Sequence, residues 1–200
     1  MFGNEITIIE RPSFVSWEDI SNVLKSAHAQ NVKKGIIMLY PQLSPEQLKE
    51  KIESYGAKLF VALDGEKIVG TGAVAILNKD YLWCGKGQYA YNFMDAVMPD
   101  YAGRGIYARI AAEQEKYAQE NDVDRMLLDT HARNKRMIGL SKKKGYRPVY
   151  FRYINNHESI VMVKWLNMCP YSRIECALKF AKIKYNKRKN HILKKDNDVA

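Results

Sequence analysis

The sequence predicts an α/β chain built on a mixed sheet with helices on its faces. Three observations carry that expectation. Stretches rich in β-branched and aromatic residues alternate with amphipathic stretches of helical period, the pattern of strands interleaved with helices. Two of the strands flank Asp64-Gly65-Glu66, a hairpin turn, so part of the sheet is antiparallel. The 200 residues are 46% hydrophobic and 27% charged, enough for one soluble core and unlike a disordered or fibrous chain. The expected division is one domain over residues 1–166 and a basic helical tail over 167–200.

The elements follow in order. Glu5–Glu10 reads as a short strand, because three isoleucines and a threonine suit a pleated surface. Ser16-Trp17-Glu18-Asp19 resembles a capping box and opens a helix whose apolar stripe is Ile20, Val23, Leu24 and Ala27. Ser44-Pro45-Glu46-Gln47 opens a second helix, with Leu48, Ile52 and Tyr55 inward and Gly56 as its stop. Lys58–Leu63 and Lys67–Val74 form the hairpin arms. A loop with Gly85 and Gly87 leads to Gln88–Met98, a long central strand ended by Pro99. Gly105–Gln119 reads as a helix and Arg125–Asp129 as a short buried strand. Lys135–Lys144 is a short helix stopped by Gly145. Tyr146–Tyr153 and Ser159–Trp165 complete the sheet. The order is β α α β β β α β α β β.

The net charge of +10 is unevenly placed. Residues 1–163 carry +3 and residues 164–200 carry +7. The main domain is therefore close to balanced, and no nucleic-acid partner is expected for it. The tail resembles a basic amphipathic helix. Its apolar stripe would be Ile174, Leu178, Ala181 and Tyr185, which suits packing on the domain or on a second copy, with peripheral contact to an anionic membrane as the alternative. A monomer or a homodimer is expected. No apolar run reaches the roughly 20 residues of a membrane-spanning helix. Met1–Ile6 shows no basic, then apolar, leader pattern. Three cysteines (Cys84, Cys169 and Cys176) make neither a disulfide framework nor a zinc motif, so the expected compartment is cytoplasmic. His28, His157 and His191 have no metal-ligand spacing with one another or with a cysteine, and no metal is expected.

The stretch that carries chemistry is Asp95–Tyr107. It is a strand end, a proline break and a Gly103-Arg104-Gly105 turn opening a helix. Glycines let the backbone curl close to a ligand. The free N–H groups of the helix start converge on one place, and the helix dipole favours an anion there. Arg104 adds a positive charge. The pattern reads as a phosphate or pyrophosphate loop. Gly103-x-Gly105-x-x-Ala108 also fits a dinucleotide fingerprint, with Asp129 at the end of the next strand. Pro99–Ala102 separate those glycines from their strand, however, and no second nucleotide-binding half follows. Gly85-x-Gly87-x-x-Ala90 precedes a strand instead of following one, and no P-loop is present.

The same stretch resembles the GNAT acetyltransferase superfamily. Val97-Met98-Pro99 matches that family's strand end, and Ala102–Tyr107 its Q/R-x-x-G-x-G/A loop. Asn134–Tyr146 is similar in register to the N-x-x-A-I-x-L-Y-x-K-x-G-F segment, and Ile68-Val69-Gly70 to the hairpin segment. The resemblance implies an acyl-CoA N-acyltransferase fold over about residues 5–165. It implies acetyl-CoA as cosubstrate in a cleft where the Gln88–Met98 and Arg125–Asp129 strands splay apart. Ala96, Val97 and Met98 would pair with the pantetheine arm, and a backbone N–H near Val97 would polarise the thioester carbonyl. Ala102, Gly103, Arg104, Gly105, Ile106 and Tyr107 would hold the pyrophosphate, and Asn134 the cofactor arm. The implied activity is direct transfer of an acetyl group to a primary amine, with a small metabolite or an amino sugar as the expected acceptor. Three positions depart from the pattern: Ala102 for Gln or Arg, Tyr107 for Gly or Ala, and Ser141 for the tyrosine the family often uses as general acid.

An ammonium must lose a proton before it attacks, so a base is sought near the cleft. Asp95 is one candidate, because aspartate is unfavourable inside a strand and alternation places it on one face with Phe93 and Tyr91. His131 ends a strand beside the cleft and has a suitable intrinsic pKa. Tyr91 stands where the family often carries a glutamate, and Ser141 is the remaining hydroxyl for the leaving thiolate. Trp17, Tyr40 and Tyr89 are candidates to line the acceptor pocket, with the loop 29–43. The alternatives to an enzyme are a non-catalytic acyl-CoA-binding or regulatory domain, or a membrane- or nucleic-acid-associated module built on the tail.

Overall fold

The computed structural model describes residues 5–78, 88–154 and 157–166. Seven strands and four α-helices occur among them, in the expected order. The strands are β1 (Thr7–Glu10), β2 (Lys58–Asp64), β3 (Lys67–Asn78), β4 (Gln88–Val97), β5 (Arg125–His131), β6 (Arg147–Ile154) and β7 (His157–Trp165). The helices are α1 (Trp17–Lys33), α2 (Pro45–Tyr55), α3 (Ile106–Glu120) and α4 (Lys135–Lys143). The loop containing Cys84, Gly85 and Gly87, the 167–200 tail with Cys169, Cys176 and His191, and the His157 side chain lie outside what is described.

The helix starts are written locally. Ser16 and Ser44 each close a full capping box, with Asp19 and Gln47 returning the bond to the cap backbone. Gly56 ends α2 at φ +56°, a left-handed conformation that glycine adopts without steric cost. Three strands run two or more residues further than their residues suggest, β7 among them, which starts at His157 and not at Ser159. β3 continues to Asn78 because β4 pairs with it as far as Asn78↔Gln88, and β5 reaches His131 because β7 pairs there through Ser159. α3 begins one residue later than expected, since Gly105 at φ +75° is its cap and not its first turn.

The sheet order is β1-β2-β3-β4-β5-β7-β6. Every neighbouring pair is antiparallel except β4–β5. α1 and α2 cover one face through Ile20, Leu24, Leu48 and Ile52, packed on Val61, Ala73 and Phe93. α3 covers the other face through Ile106, Ile110 and Ala118, packed on Val74, Ala90, Met126 and Met162.

One irregularity interrupts β4 near its end. Thr71 pairs with Ala96 and Ala73 with Phe93, so Met94 and Asp95 together oppose the single residue Gly72. This is a β-bulge, and Met94 takes φ +57° to make it. The alternation breaks there. Phe93 and Met94 both pack on the α1–α2 side. Asp95 is therefore turned to the α3 side, away from the face of Tyr91 and Phe93, which corrects the arrangement that regular alternation predicts. Gly72 is fixed by the same packing. A Cβ there would stand 2.6 Å from Asp95 Oδ1, 2.6 Å from Ile110 Cγ2 and 2.8 Å from Gln114 Nε2.

Candidate functional site

β4 and β5 pair over only three positions: Ala90↔Met126, Tyr91↔Leu127 and Asn92↔Leu128. Beyond them the strands part. The β5-facing edge of Phe93–Val97 then has no strand partner among the described residues. Ala96 and Val97 pair only with β3, and the Met98 N–H donates to the Val69 carbonyl at 2.8 Å. The bulge and the parting together make a V-shaped opening that passes from one face of the sheet to the other.

The Gly-rich loop stands at one mouth of this opening. Pro99–Tyr101 forms a 3-10 turn, and Gly103 and Gly105 follow at φ +82° and +75°. A Cβ built on either glycine meets nothing within 4 Å, so the loop is bordered by open space. No side chain caps α3, and the first intrahelical bond goes from the Arg109 N–H to the Gly105 carbonyl. The N–H groups of Ile106, Tyr107 and Ala108 are left as orphan donors at the positive end of the helix dipole. Orphan donors at a helix start are groups that an anion can satisfy. Ala102 contributes backbone alone. The Arg104 guanidinium stacks on Tyr101 at 4.8 Å, and the Tyr101 hydroxyl donates to Asp64 at 2.8 Å, which raises the pKa of that phenol.

A cavity of about 220 Å³ opens on the α1 side. Its wall is largely apolar, with Ile37, Leu39, Tyr40 and Phe93 near the mouth. Its floor carries Tyr91, Asp129 and His131. The Tyr91 hydroxyl donates to Asp129 Oδ1 at 2.5 Å, bridging the two parting strands. His131 Nδ1 accepts the Arg133 N–H at 3.1 Å, so neutral His131 carries its proton on Nε2. Arg133 also reaches across the mouth and donates to the Gly35 carbonyl, tying the loop after α1 to the loop before α4.

The remaining expected residues spread over both sides. Tyr40 lines the cavity as expected, whereas Trp17 packs in the α1–α2 core under Arg11, and Tyr89 is buried with Leu127, Val161 and Val163. Asn134 is the N-cap of α4: its Oδ1 accepts from the Met137 N–H, and its Nδ2 donates to Thr130. One amide N–H remains for a ligand. The Asp95 carboxyl is enclosed under α3, where Gln114 donates to it at 2.8 Å, and burial pushes its pKa up to about 7. Ser141 on α4 is fully buried, and its hydroxyl has no hydrogen-bond partner.

Three residues stand here in places that the sequence did not assign to them. His28 of α1 lines the cavity close to the Asp95 backbone at the bulge, and burial keeps it below its usual pKa. Asp129 is the partner of Tyr91. Gln114 ties the Asp95 carboxyl, Asn92 and the Ala73 carbonyl together. Only Gln114 leaves a trace in the sequence, as a polar residue on the apolar stripe of α3.

The Acetyltransferase (GNAT) family matches residues 17–146. No curated protein matches the chain in sequence. Among solved structures, a GNAT-family acetyltransferase from Staphylococcus aureus Mu50 is similar at TM-score 0.63 and 17% identity, over 82% of this chain and 100% of that one. NAA60 of Arabidopsis thaliana, solved with a bisubstrate analogue, aligns at TM-score 0.61 and 21% identity, covering 80% and 99%. The ribosomal-protein-S18-alanine N-acetyltransferase of Escherichia coli aligns at TM-score 0.60 and 16% identity, covering 82% and 96%.

Proposed function

The chain belongs to the Acetyltransferase (GNAT) family, and from that premise we propose that it is an acetyl-CoA-dependent N-acetyltransferase acting on a small primary amine. The observation that carries this reading is the opening between β4 and β5, with an uncapped helix start at one mouth and a cavity at the other.

The loop Ala102–Tyr107 holds the pyrophosphate through its backbone N–H groups, and Arg104 supplies charge beside it. Ala96 and Val97 offer an unpaired strand edge to the pantetheine arm, in the manner of an added strand, whereas the Met98 N–H is already given to Val69 and its carbonyl accepts from Tyr101. Asn134 gives its spare amide N–H to the same arm. A backbone N–H near Val97 polarises the thioester carbonyl as the tetrahedral centre forms. Bound acetyl-CoA supplies an activated acyl carbon, so this chain needs no nucleophile of its own.

The amine arrives from the α1 side. Tyr91, Asp129 and His131 face it there. Asp129 holds the ammonium by charge and accepts its proton, directly or through a water, while Tyr91 keeps the carboxylate in place. His131 stands beside them in the lining of the same cavity. Asp95 lies on the cofactor side and shapes the bulge from beneath. The apolar wall formed by Ile37, Leu39, Tyr40 and Phe93 suits an amine with an apolar neighbour better than a polyhydroxylated sugar, whose hydroxyls would lose water without gaining partners.

Two measurements test the reading. Saturating acetyl-CoA raises the melting temperature of the protein, and thiol release over an amine panel is greatest for amines with apolar substituents. No rise in melting temperature overturns cosubstrate binding. A rise without turnover across alkyl, aromatic, sugar and peptide amines leaves a CoA-binding module.

A further inference from the structure

Two departures from the family's sequence pattern meet at one place in the fold. Ser141 stands on α4 and Tyr107 on the first turn of α3, the two helices that wall the cofactor side of the opening. Tyr107 shares a helical stripe with Ala111 and Gln114, and that stripe faces the sheet. Gln114 at its inner end bonds the Asp95 carboxyl. The Tyr107 phenol lies close to both the Ser141 hydroxyl and the Asp95 carboxyl. The Lys144 ammonium stands 5.8 Å from its ring centroid and donates to the Ala108 carbonyl at 3.2 Å. Tyr146 approaches from beneath, with its hydroxyl on Met126 Sδ. Ser141, by contrast, is fully buried, and its oxygen meets no partner at bonding geometry. Of the two hydroxyls on this wall, the one at the end of a long side chain belongs to Tyr107.

We propose, resting on the acetyltransferase reading above, that the Tyr107 phenol is the hydrogen-bond donor to the sulfur that leaves the thioester. The amine lone pair forms the C–N bond, the C–S bond breaks, and sulfur departs with the electron pair. The surplus proton on nitrogen goes to the Asp129 side of the opening and on to solvent. The phenol keeps its own proton. Burial and the Asp95 carboxyl both raise its pKa, so it remains O–H throughout the working range and is a poor proton donor to a thiolate. Its contribution is to stabilise the negative charge that develops on sulfur. Tyr107 would thus be a catalytic residue placed on the loop that also binds the pyrophosphate.

The test is Tyr107→Phe, which keeps the ring and its packing and removes only the donor. Free CoA is bound to each protein and its thiol is titrated by ultraviolet thiolate absorbance. A donor to the thiolate lowers the pKa of the bound thiol, so the phenylalanine variant raises it by about one unit. The same variant lowers kcat by roughly 10²-fold, with little change in the Kd for CoA. CoA bound to both proteins with the same thiol pKa overturns this proposal and leaves the acetyltransferase reading standing. Failure of the wild-type protein to bind CoA overturns both. A raised thiol pKa in Ser141→Ala, but not in Tyr107→Phe, assigns the role to Ser141 and overturns the proposal.

Discussion

β4 has two ends that behave differently. From Gln88 to Asn92 it pairs with β3, and over Ala90–Asn92 also with β5, with side chains alternating between the two cores. From Phe93 to Val97 it carries a bulge, loses β5 and exposes one backbone edge. The first end is scaffold. The second is where every proposed cofactor contact on the strand falls. The contrast teaches that this fold makes its site by withholding strand pairing, not by adding a special element. Unpaired backbone groups are costly when buried, and they become available to a ligand that can take the missing strand's place.

The largest effect is expected at the mouth of the open end. Gly103→Glu puts a side chain and a negative charge where the pyrophosphate would sit, at φ +82°. The variant should fold, lose the melting-temperature rise given by acetyl-CoA, and lose turnover. A full rise in the variant would separate the loop from cosubstrate binding and break the comparison. Gly72→Ala tests the bulge itself. Its new Cβ would meet Asp95 Oδ1 and Ile110 Cγ2 at 2.6 Å. Overpacking of that kind costs about 1–3 kcal/mol, measured by urea unfolding, and a neutral result would show that the bulge is not held by this packing.

The Asp95 carboxyl gives a pH signature to the same spot. Its folded pKa lies near 7, above its ordinary value of 3.8, because burial disfavours the charge. The folded state therefore binds the proton more tightly than the unfolded one. The stabilisation is fully present below about pH 4 and is lost as pH rises through 7. Asp95→Asn should remove this part of the pH dependence, on the order of 4 kcal/mol between pH 4 and 8. An unchanged stability profile would place the carboxyl in a more open setting. The smallest effect belongs to the tie across the cavity mouth. Arg133→Ala frees the loop after α1 at Gly35. It should raise KM for the amine a few-fold while leaving CoA affinity alone, at a stability cost of under about 1 kcal/mol, as for other exposed contacts.

Much of this was legible in the residues. Ser16 and Ser44 as caps, Gly56 as a stop, Pro99 as a strand end and the Gly-Arg-Gly turn all act through neighbours a few positions away. The face of Asp95 was not legible. Strict alternation gives the wrong side, because the extra residue of the bulge exists only relative to Gly72 on the partner strand. Which of Trp17, Tyr40 and Tyr89 would line the cavity was not legible either, because aromatic residues suit a pocket wall and a core equally well.

The chain order by itself determined the element sequence, the capped starts of α1 and α2 and the Gly-Arg-Gly turn before α3. Capping, turn chemistry and periodicity are properties of short segments, and they survive without knowledge of what packs against them. Only the tertiary structure decided the rest. It set the three-pair limit on β4 and β5, the Tyr91–Asp129 bridge across their gap, and the meeting of Tyr107 with Ser141 between α3 and α4. Each of these joins residues more than thirty positions apart. Their meeting depends on strand register and helix packing, which no local spacing encodes.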